Sequence, residues 1–378
     1  MAILLPGATI GILGGGQLGR MTAMAARSLG YGVRVLDPDG HCAANAVADE
    51  VIVGDFDNEE AAATLANGCG VVTFEIEKIG PLALAAAERF APVRPSPRAL
   101  EIVQDRLVQK VWLREHKFPV GPFRGVDTSR DAEGAVTALG PCRLKARRGG
   151  YDGRSQAKAA TLADAASALA SLGSEPCVAE QELTLSRELS VMVARREVPG
   201  GGSEVKVFPV AENWHEDGIL SYSVLPGNLP ASVVTEAATL GGRIAEAMGL
   251  VGLLAIEFFV TTSHGLLVNE LSPRPHNTFH ATETACLTSQ FEQLVRAVCG
   301  LPLGSTDVLR PTALANLLGD LWLGPEPPHL DRALALPGVY LTLYGKAPRK
   351  GRKIGHLLAV AQTPEDALRL VREAKGKL

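Results

Sequence analysis

The chain has 378 residues, of which 46% are hydrophobic and 21% charged, and its formal net charge is −4. This composition is typical of a soluble globular protein with two or three domains, and the slight negative charge gives no support for nucleic-acid binding. No stretch of about 18 apolar residues occurs, so no membrane span is predicted. The six cysteines are scattered without a Cys-x-x-Cys pair, which indicates a reducing, cytoplasmic location with neither a disulfide framework nor a zinc site.

The N-terminal segment has the pattern of a βαβ unit. A predicted strand at 9–13 leads into the turn Gly-Gly-Gly-Gln-Leu-Gly at 14–19, an alanine-rich helix and a second strand at 31–36. Such a turn lets an anionic ligand approach the start of a helix. Asp37 lies near the spacing expected of a ribose-binding acid, so NAD or FAD and a different anionic ligand are both open at this point.

Two further strands, at 51–53 and 71–74, extend a parallel sheet, and Glu75 and Glu77 follow the second of them. Open α/β sheets bind ligands at this carboxyl edge, although both residues could equally be solvated rim carboxylates. The proline-containing segment at 92–97 marks a boundary.

A single helix is predicted from about 97 to 116, with Arg106 and Lys110 on one face. These two cations are either ligands or ordinary surface charges. Downstream, Lys145, Arg147 and Arg148 precede a loop with three glycines at 149–153. Such a loop can fold its backbone N–H groups over phosphates, or it can be a flexible basic turn.

The middle of the chain predicts antiparallel strands with flanking helices, that is, an α+β region. Its most informative part is an apolar run at 253–260, a short glycine-containing link and a second run at 266–271, which together predict a β-hairpin. With the hairpin centred between Ser263 and His264, Glu257 faces Glu270 on one sheet face. Opposed carboxylates repel, and Mg²⁺ commonly takes one or two of them; a register shifted by one residue would instead leave a solvated face.

Two polar segments near these strands are weaker signals. His215 is either a functional ligand residue or a histidine whose ring nitrogens simply form hydrogen bonds within the protein. The run at 346–353 has five cations and one intervening glycine, and it either binds phosphate or forms a solvated basic turn. Predicted strands at 313–318 and 339–343 and a closing helix complete the third region.

Six motifs in a fixed order resemble a known family: GGGQLGRM at 14–21, FEIE at 74–77, GGYDGRSQ at 149–156, HEDGIL at 215–220, IEFFV…GLLVNELSPRPHNTFH at 256–280 and GRKIGHL at 351–357. Over nearly the whole chain they resemble the N5-carboxyaminoimidazole ribonucleotide synthases, the ATP-grasp carboxylases of bacterial and fungal purine synthesis. The resemblance implies an ATP-grasp fold with an N-terminal Rossmann-like parallel-sheet domain at 1–100, an ATP-grasp domain at 101–300 with a lid at about 115–178, and a small β-rich C-terminal domain at 301–378. It also implies a homodimer.

The resemblance assigns roles to individual residues. ATP binding falls on Arg106, Lys145, Gly150, Tyr151, Asp152, Gly153, Arg154, Ser155, Gln156, Glu180, Gln181, Glu182, Leu183, Glu188, His215, Asn269 and Glu270. Binding of the aminoimidazole ribonucleotide is assigned to Gln17, Leu18, Glu75, Tyr151, Lys346, Arg352 and Lys353. Glu257 and Glu270 would hold Mg²⁺, and Arg274, His276 and Lys353 would act on bicarbonate and carboxyphosphate.

Two departures from the family pattern concern the glycine loop. Ser155 stands where the family commonly has glycine, and Arg148 stands where a small polar residue is usual. A stiffer, slower loop is expected. Two rival functions remain: formylation of glycinamide ribonucleotide by a sister ATP-grasp enzyme, and an NAD-dependent Rossmann oxidoreductase that would use Gly14, Gly16, Gly19 and Asp37.

Overall fold

The computed structural model describes residues 3–149, 155–216 and 218–378. The predictions made for Gly150, Tyr151, Asp152, Gly153 and Arg154 therefore lie outside the described residues. Among the helices in the described ranges, none is both long enough and apolar enough to cross a bilayer.

The N-terminal region forms a four-stranded parallel sheet, as the sequence predicted, and the structure gives its strand order as β3-β2-β1-β4. Its elements are β1 (Thr9–Leu13), α1 (Gln17–Ser28), β2 (Gly32–Asp37), β3 (Glu50–Val53), α2 (Glu59–Ala66), β4 (Val71–Phe74) and α3 (Pro81–Glu88). Leu13 and Phe74 are partners in the ladder between β1 and β4. The glycine-rich turn after β1 therefore lies beside Glu75, which follows β4.

The prediction of one helix from 97 to 116 is wrong. Two helices are present, α4 (Pro97–Gln104) and α5 (Arg106–Glu115). Asp105 separates them, and its carboxylate accepts hydrogen bonds from the backbone N–H groups of Leu107 and Val108 at 2.9 and 3.2 Å. An aspartate side chain that caps a new helix in this way ends the preceding one.

A small antiparallel sheet in the order β5-β8-β6-β7 occupies the region predicted as the lid. Its elements are β5 (Phe123–Val126), α6 (Ser129–Leu139), β6 (Cys142–Ala146), β7 (Gln156–Ala159), α7 (Leu162–Ser171) and β8 (Cys177–Gln181). Both helices pack on this sheet in a separate apolar core of mainly alanine, valine and leucine. Residues 150–154, which the structure does not describe, fall in the sequence between β6 and β7.

A nine-stranded sheet forms the rest of the molecule. Its path is β14-β13-β9-β11-β12-β15-β17-β16, and β10 pairs with β9. The strands and helices are β9 (Leu185–Glu197), β10 (Ser203–Val207), β11 (Ala211–Glu216), β12 (Ile219–Leu225), α8 (Ala231–Met248), β13 (Gly252–Thr261), β14 (Gly265–Ser272), α9 (Thr282–Ala285), α10 (Gln290–Cys299), β15 (Thr312–Leu318), α11 (Leu330–Leu334), β16 (Val339–Leu343), β17 (Lys353–Val360) and α12 (Pro364–Gly376), with 3₁₀ turns at Asn277–Ala281 and Gly319–Trp322.

The C-terminal strands continue the central sheet, because β12 pairs antiparallel with β15 across the boundary predicted at residue 301. The domain limits drawn at 100 and 300 stay predictions. This continuity has a functional consequence: Lys353, the first residue of β17, lines the same cleft as residues of the β13–β14 hairpin.

Helix α8 packs closely on the central sheet at one glycine. A Cβ atom placed on Gly241 would lie 2.9 Å from Val191 Cγ1 and 3.2 Å from Val193 Cγ2, both on β9. At the next residue, Gly242, a Cβ would meet nothing within 4 Å. Gly241 and Gly242 therefore lie in the same helix but differ in how closely the sheet packs against them.

We predict opposite effects for alanine at these two positions. Gly241→Ala should lower the free energy of unfolding by about 1–3 kcal/mol, because the added methyl overpacks the helix–sheet contact. Gly242→Ala, the matched control, should raise it by about 0.5–1 kcal/mol through its better helix propensity. Urea unfolding followed by circular dichroism measures both, and a stabilised Gly241→Ala variant would contradict the observed packing.

Candidate active site

The hairpin of β13 and β14 brings two carboxylates face to face. Glu257 and Glu270 are direct partners in the antiparallel ladder, as predicted, but the turn is not centred as predicted. Thr261 pairs with Gly265, so the reversal is centred on Ser263, and a register shift follows between Glu257 and Phe258. Without this β-bulge, the ladder near the turn would place Asn269 opposite Glu257. The bulge restores the carboxylate pair.

Both glutamates line a cleft of about 790 Å³, where their like charges repel each other. Burial and the facing Glu270 carboxylate raise the pKa of Glu257. Burial also acts to raise the pKa of Glu270, but the Arg106 guanidinium, whose Nη1 lies 2.7 Å from Oε2, outweighs it and lowers that pKa. Asn269, the residue at the bulge, donates from Nδ2 to Glu257 Oε2 at 3.1 Å.

Beside the carboxylate pair, one buried glutamate holds two lysines. Glu180 Oε2 lies 3.0 Å from Lys145 Nζ and 3.3 Å from Lys110 Nζ. Burial acts to raise the pKa of Glu180, but Lys110 and Lys145 together lower it to about 2. Glu180 is therefore ionised and keeps both ammonium groups inside the cleft.

The remaining residues assigned to ATP lie around the same cleft. Glu188 Oε2 is 2.8 Å from His215 Nδ1. The side chain of Gln181 is turned away, since its Nε2 donates to the carbonyl of Leu139 at 2.9 Å. The assigned residues that line the cleft are Arg106, Lys145, Ser155, Gln156, Glu180, Gln181, Glu182, Leu183, Glu188, His215, Asn269 and Glu270.

Arg274, His276 and Lys353 lie at the end of the cleft near the hairpin carboxylates. Arg274 Nε forms a 2.7 Å ion pair with Glu77. His276 Nε2 is 3.4 Å from Glu257 Oε1, and burial, with Arg274 nearby, holds the pKa of His276 well below 6.5. His276 is therefore a neutral imidazole beside a permanent cation.

The glycine-rich turn holds a carboxylate of the protein itself. The N–H groups of Gly16 and Gly19 donate to Glu75 at 2.6 and 2.9 Å, and Gly15 N–H donates to Asp37 at 2.8 Å. A Cβ on Gly16 would lie 2.3 Å from Glu75 Oε1. The glycines thus make room for Glu75 at the start of α1, where a dinucleotide would need to place its pyrophosphate.

The other residues assigned to the ribonucleotide surround this turn. Lys346 donates to the side-chain oxygen of Gln17, and burial lowers the pKa of Lys346 while Glu75 opposes that shift. Arg352 donates to the carbonyl of Ala347 at 3.2 Å. The Leu18 side chain packs in a small core cluster with Met21, Phe291 and Tyr344, which leaves its backbone for a ligand.

Arg147 and Arg148, which precede the glycine loop, form ion pairs with Asp105, the residue that caps α5. Arg147 Nη2 lies 2.8 Å from Asp105 Oδ2, and Arg148 Nε lies 3.4 Å from the same oxygen. The N–H of Arg106 also donates to the carbonyl of Arg147 at 2.9 Å. The start of the loop is therefore tied to the helix that presents Arg106.

Lys110 and Asn277 are polar cleft residues to which the sequence analysis assigns no role. Lys110 was noted one turn after Arg106, and the i, i+4 spacing was the available signal, but a surface position fitted it equally well. Asn277 lines the cleft and accepts a 3.5 Å hydrogen bond from Gln17 Nε2. It directly follows His276 in the polar run after β14, which is the only signal the sequence carries for it.

Family models match the chain in three consecutive parts: a ribonucleotide synthetase preATP-grasp domain at 7–104, an ATP-grasp domain at 111–291 and a phosphoribosylaminoimidazole carboxylase C-terminal domain at 312–370. Together with the cleft between the small sheet and the hairpin, these matches define an ATP-grasp ligase. The chain is 42% identical to the N5-carboxyaminoimidazole ribonucleotide synthase of Brucella melitensis over 361 residues, which are 94% of this chain and 97% of the relative. The chain belongs to the N5-carboxyaminoimidazole ribonucleotide synthase family, which confirms the resemblance seen in the sequence.

Solved structures agree with this membership. The N5-carboxyaminoimidazole synthetase of Staphylococcus aureus complexed with ADP has a TM-score of 0.91 and 33% identity, covering 99% of this chain and 98% of that one. The Aspergillus clavatus enzyme in complex with ADP and 5-aminoimidazole ribonucleotide has a TM-score of 0.88 and 29% identity, covering 98% of each chain. The predicted fold is therefore confirmed.

The two cleft histidines provide a test of this electrostatic arrangement. Burial acts to lower the pKa of His215, but the Glu188 carboxylate outweighs it, so that pKa is raised above 6.5. His215 should keep its proton as pH rises through 6.5 and lose it only at the raised value, whereas His276 should stay neutral. Histidine-selective NMR titration from about pH 5 to about pH 9 measures both.

In Glu188→Gln, the pKa of His215 should fall while His276 does not change. Glu216→Gln is the matched control: Glu216 adjoins His215 in the chain, but its carboxylate accepts from Ser221 Oγ at 2.7 Å. An unchanged His215 titration in Glu188→Gln would contradict the pairing.

Proposed function

We propose that this chain carboxylates the exocyclic amine of 5-aminoimidazole ribonucleotide to N5-carboxyaminoimidazole ribonucleotide, using ATP and bicarbonate through carboxyphosphate. The observation that carries the proposal is the carboxylate pair Glu257 and Glu270 in a cleft that also presents Arg106, Lys145 and Arg274. Membership in the synthase family supports the same reaction.

ATP would lie between the small sheet and the hairpin. Lys145 and Arg106 would contact the phosphates; this assignment is supported by their being cations that carboxylates hold at the cleft. Glu182 and Leu183, which follow β8, would face the adenine, and Glu188 with His215 would face the ribose. Gln181 would contribute its backbone, because its side chain is engaged elsewhere.

The residues at the hairpin fit Mg²⁺. The donor set is two facing carboxylates, and Asn269 Oδ1 is buried without a hydrogen-bond partner among the described residues. These are hard oxygen ligands of the kind that Mg²⁺ prefers. Glu257 and Glu270 would hold the Mg²⁺, which would supply positive charge to offset the negative charge on the transferred phosphoryl group.

Arg274 and His276 would position bicarbonate. The planar guanidinium of Arg274 suits a planar anion, and neutral His276 can hydrogen-bond to it without adding charge. A bicarbonate oxygen attacks the γ-phosphorus, the bond to the bridging oxygen of ADP breaks, and carboxyphosphate forms. The exocyclic amine then takes the carboxyl group, releasing phosphate and a proton. Carboxyphosphate hydrolyses readily, so the lid must exclude water.

The ribonucleotide would bind between the glycine-rich turn and the C-terminal basic run. Gln17, Leu18 and Glu75 come from the turn and the adjoining strand end, and Lys346, Arg352 and Lys353 come from the C-terminal region. Asn277, which lines the cleft and contacts Gln17, connects this region to the bicarbonate end of the cleft.

The hydrogen bonds of the glycine-rich turn argue against an NAD-dependent oxidoreductase. The backbone N–H groups that NAD would need already donate to Glu75 and Asp37. The formate-dependent alternative uses the same metal pair, and a change of substrate separates it. Family membership also supports a homodimer, and the reduced state of the scattered cysteines supports a cytoplasmic location.

ADP release tests the reaction and its metal ligands together. The parent protein should release ADP only when aminoimidazole ribonucleotide and bicarbonate are both present, and formate with glycinamide ribonucleotide should not replace them. Glu270→Gln should lower kcat/KM by about 10²-fold or more, because it removes a charge that stabilises the phosphoryl transfer.

Glu326→Gln, at an exposed position in a loop, serves as the control and should retain parent activity. Circular dichroism should show that Glu270→Gln is folded. Near-parent turnover in folded Glu270→Gln would remove Glu270 from the metal site, and formate-driven ADP release would favour the transformylase.

The basic run provides a separate test of the ribonucleotide site. Lys346→Met should raise KM for the ribonucleotide about tenfold, since a contact to a charged group contributes about 1.5–3 kcal/mol, and should leave KM for ATP unchanged. Lys350→Met, an exposed lysine of the same run, is the matched control and should change neither. Equal effects of both substitutions would instead indicate a solvated basic turn.

A further inference from the structure

A cluster of two histidines and one glutamate lies beside the ribonucleotide region and takes no part in the proposed reaction. His280 belongs to the 3₁₀ turn after β14, Glu283 to α9 and His356 to β17. One ring nitrogen of each histidine and one carboxylate oxygen of Glu283 lie within 4.8 Å of one another. Three separate segments of the chain thus bring metal-binding atoms to one point.

Both histidines are completely buried, and each has one nitrogen without a hydrogen-bond partner among the described residues. These atoms are Nδ1 of His280 and Nε2 of His356. A buried polar atom left unpaired costs about 1–3 kcal/mol. Two unpaired ring nitrogens on neighbouring histidines that also cluster with a carboxylate indicate a place for a ligand.

The opposite nitrogen of each ring is bonded to an oxygen. His280 Nε2 lies 3.2 Å from Asn277 Oδ1, which can only accept, so Nε2 carries the proton and Nδ1 has the lone pair. His356 Nδ1 lies 2.7 Å from the Tyr344 hydroxyl. In the tautomer that binds a metal, Nδ1–H donates a hydrogen bond to this hydroxyl, and Nε2 has the lone pair. Metal-binding histidines are oriented by this kind of second hydrogen bond.

Both rings are also in the uncharged form that a metal requires. Burial lowers the pKa of His356 to about 3 and that of His280 well below 6.5. Glu283 is exposed, in contrast to the histidines, so an ion can enter from the side of its carboxylate. Its protein surroundings raise the pKa of this carboxyl to about 7, so near neutral pH an entering cation displaces a proton from part of the Glu283 population.

We propose that His280, Glu283 and His356 form a second cation site, separate from the carboxylate pair, that binds Zn²⁺. Two imidazoles and one carboxylate are a recognised Zn²⁺ ligand set, and water would complete four-coordination. Mg²⁺ does not suit nitrogen ligands. The spacing of the cysteines argues against a zinc site built from cysteine ligands, and the site proposed here contains no cysteine.

Binding requires a small closure of the cluster. Tetrahedral ligands about 2.1 Å from Zn²⁺ are roughly 3.4 Å apart, less than the present limit of 4.8 Å. The two rings are also nearly parallel, 7° apart with centroids separated by 4.5 Å, and a metal lies in the plane of each ring that binds it. One ring must therefore turn when the ion binds. His280 is the candidate, because its bond to Asn277 is the longer of the two, and it would give up that bond on turning.

Co²⁺, a spectroscopic substitute for Zn²⁺, tests the proposal on the full-length protein after chelator treatment and in excess Mg²⁺. The parent protein should bind one Co²⁺ with visible bands typical of nitrogen ligation, and Zn²⁺ should displace it and raise the thermal unfolding midpoint. Glu283→Gln should weaken Co²⁺ binding at least about tenfold. Because Glu283 is exposed, this variant is expected to fold.

Glu326→Gln and Glu257→Gln are the controls, and both should bind Co²⁺ as the parent does. Three outcomes would overturn the proposal: no Co²⁺ bound by the parent protein, equal affinity in Glu283→Gln, or loss of Co²⁺ in Glu257→Gln instead, which would assign the ion to the carboxylate pair. None of these outcomes bears on ADP release, so the proposed function is tested separately.

Discussion

Repulsion between Glu257 and Glu270 shapes the centre of this protein. Two carboxylates face each other across a strand pair, where burial weakens the screening that water would provide. The chain compensates with Arg106 on one carboxylate and the Asn269 amide on the other. These partners leave the pair able to attract a hard divalent cation and, with it, the phosphates of a nucleotide.

The same principle applies throughout the cleft, where cations needed for anionic substrates are already paired with carboxylates. Glu180 holds Lys110 and Lys145, and Glu77 holds Arg274. An unpaired charge in such a site would be expensive to bury. Pairing lets the fold keep these cations in place, and an incoming phosphate or bicarbonate then competes with a carboxylate rather than with bulk water.

Sheet continuity explains how residues far apart in the chain share one site. The β15–β17 strands extend the central sheet, so the C-terminal basic run reaches the glycine-rich turn near the N-terminus. That turn, which looks like a dinucleotide site in the sequence, is filled by Glu75. A common local motif thus binds a carboxylate of the protein itself because of what the neighbouring strand places in it.

The sequence by itself determined the local elements and the motif order: the βαβ unit, the hairpin, the paired glutamates and the family. Local periodicity and turn chemistry decide these features, so they are visible in short stretches. Tertiary structure alone decided the bulge that aligns Glu257 with Glu270, the burial of Lys110 and the cluster of His280 with His356. These features depend on partners distant in the chain, such as Glu180 for Lys110, because burial and ion pairing are set by contacts that no local pattern encodes.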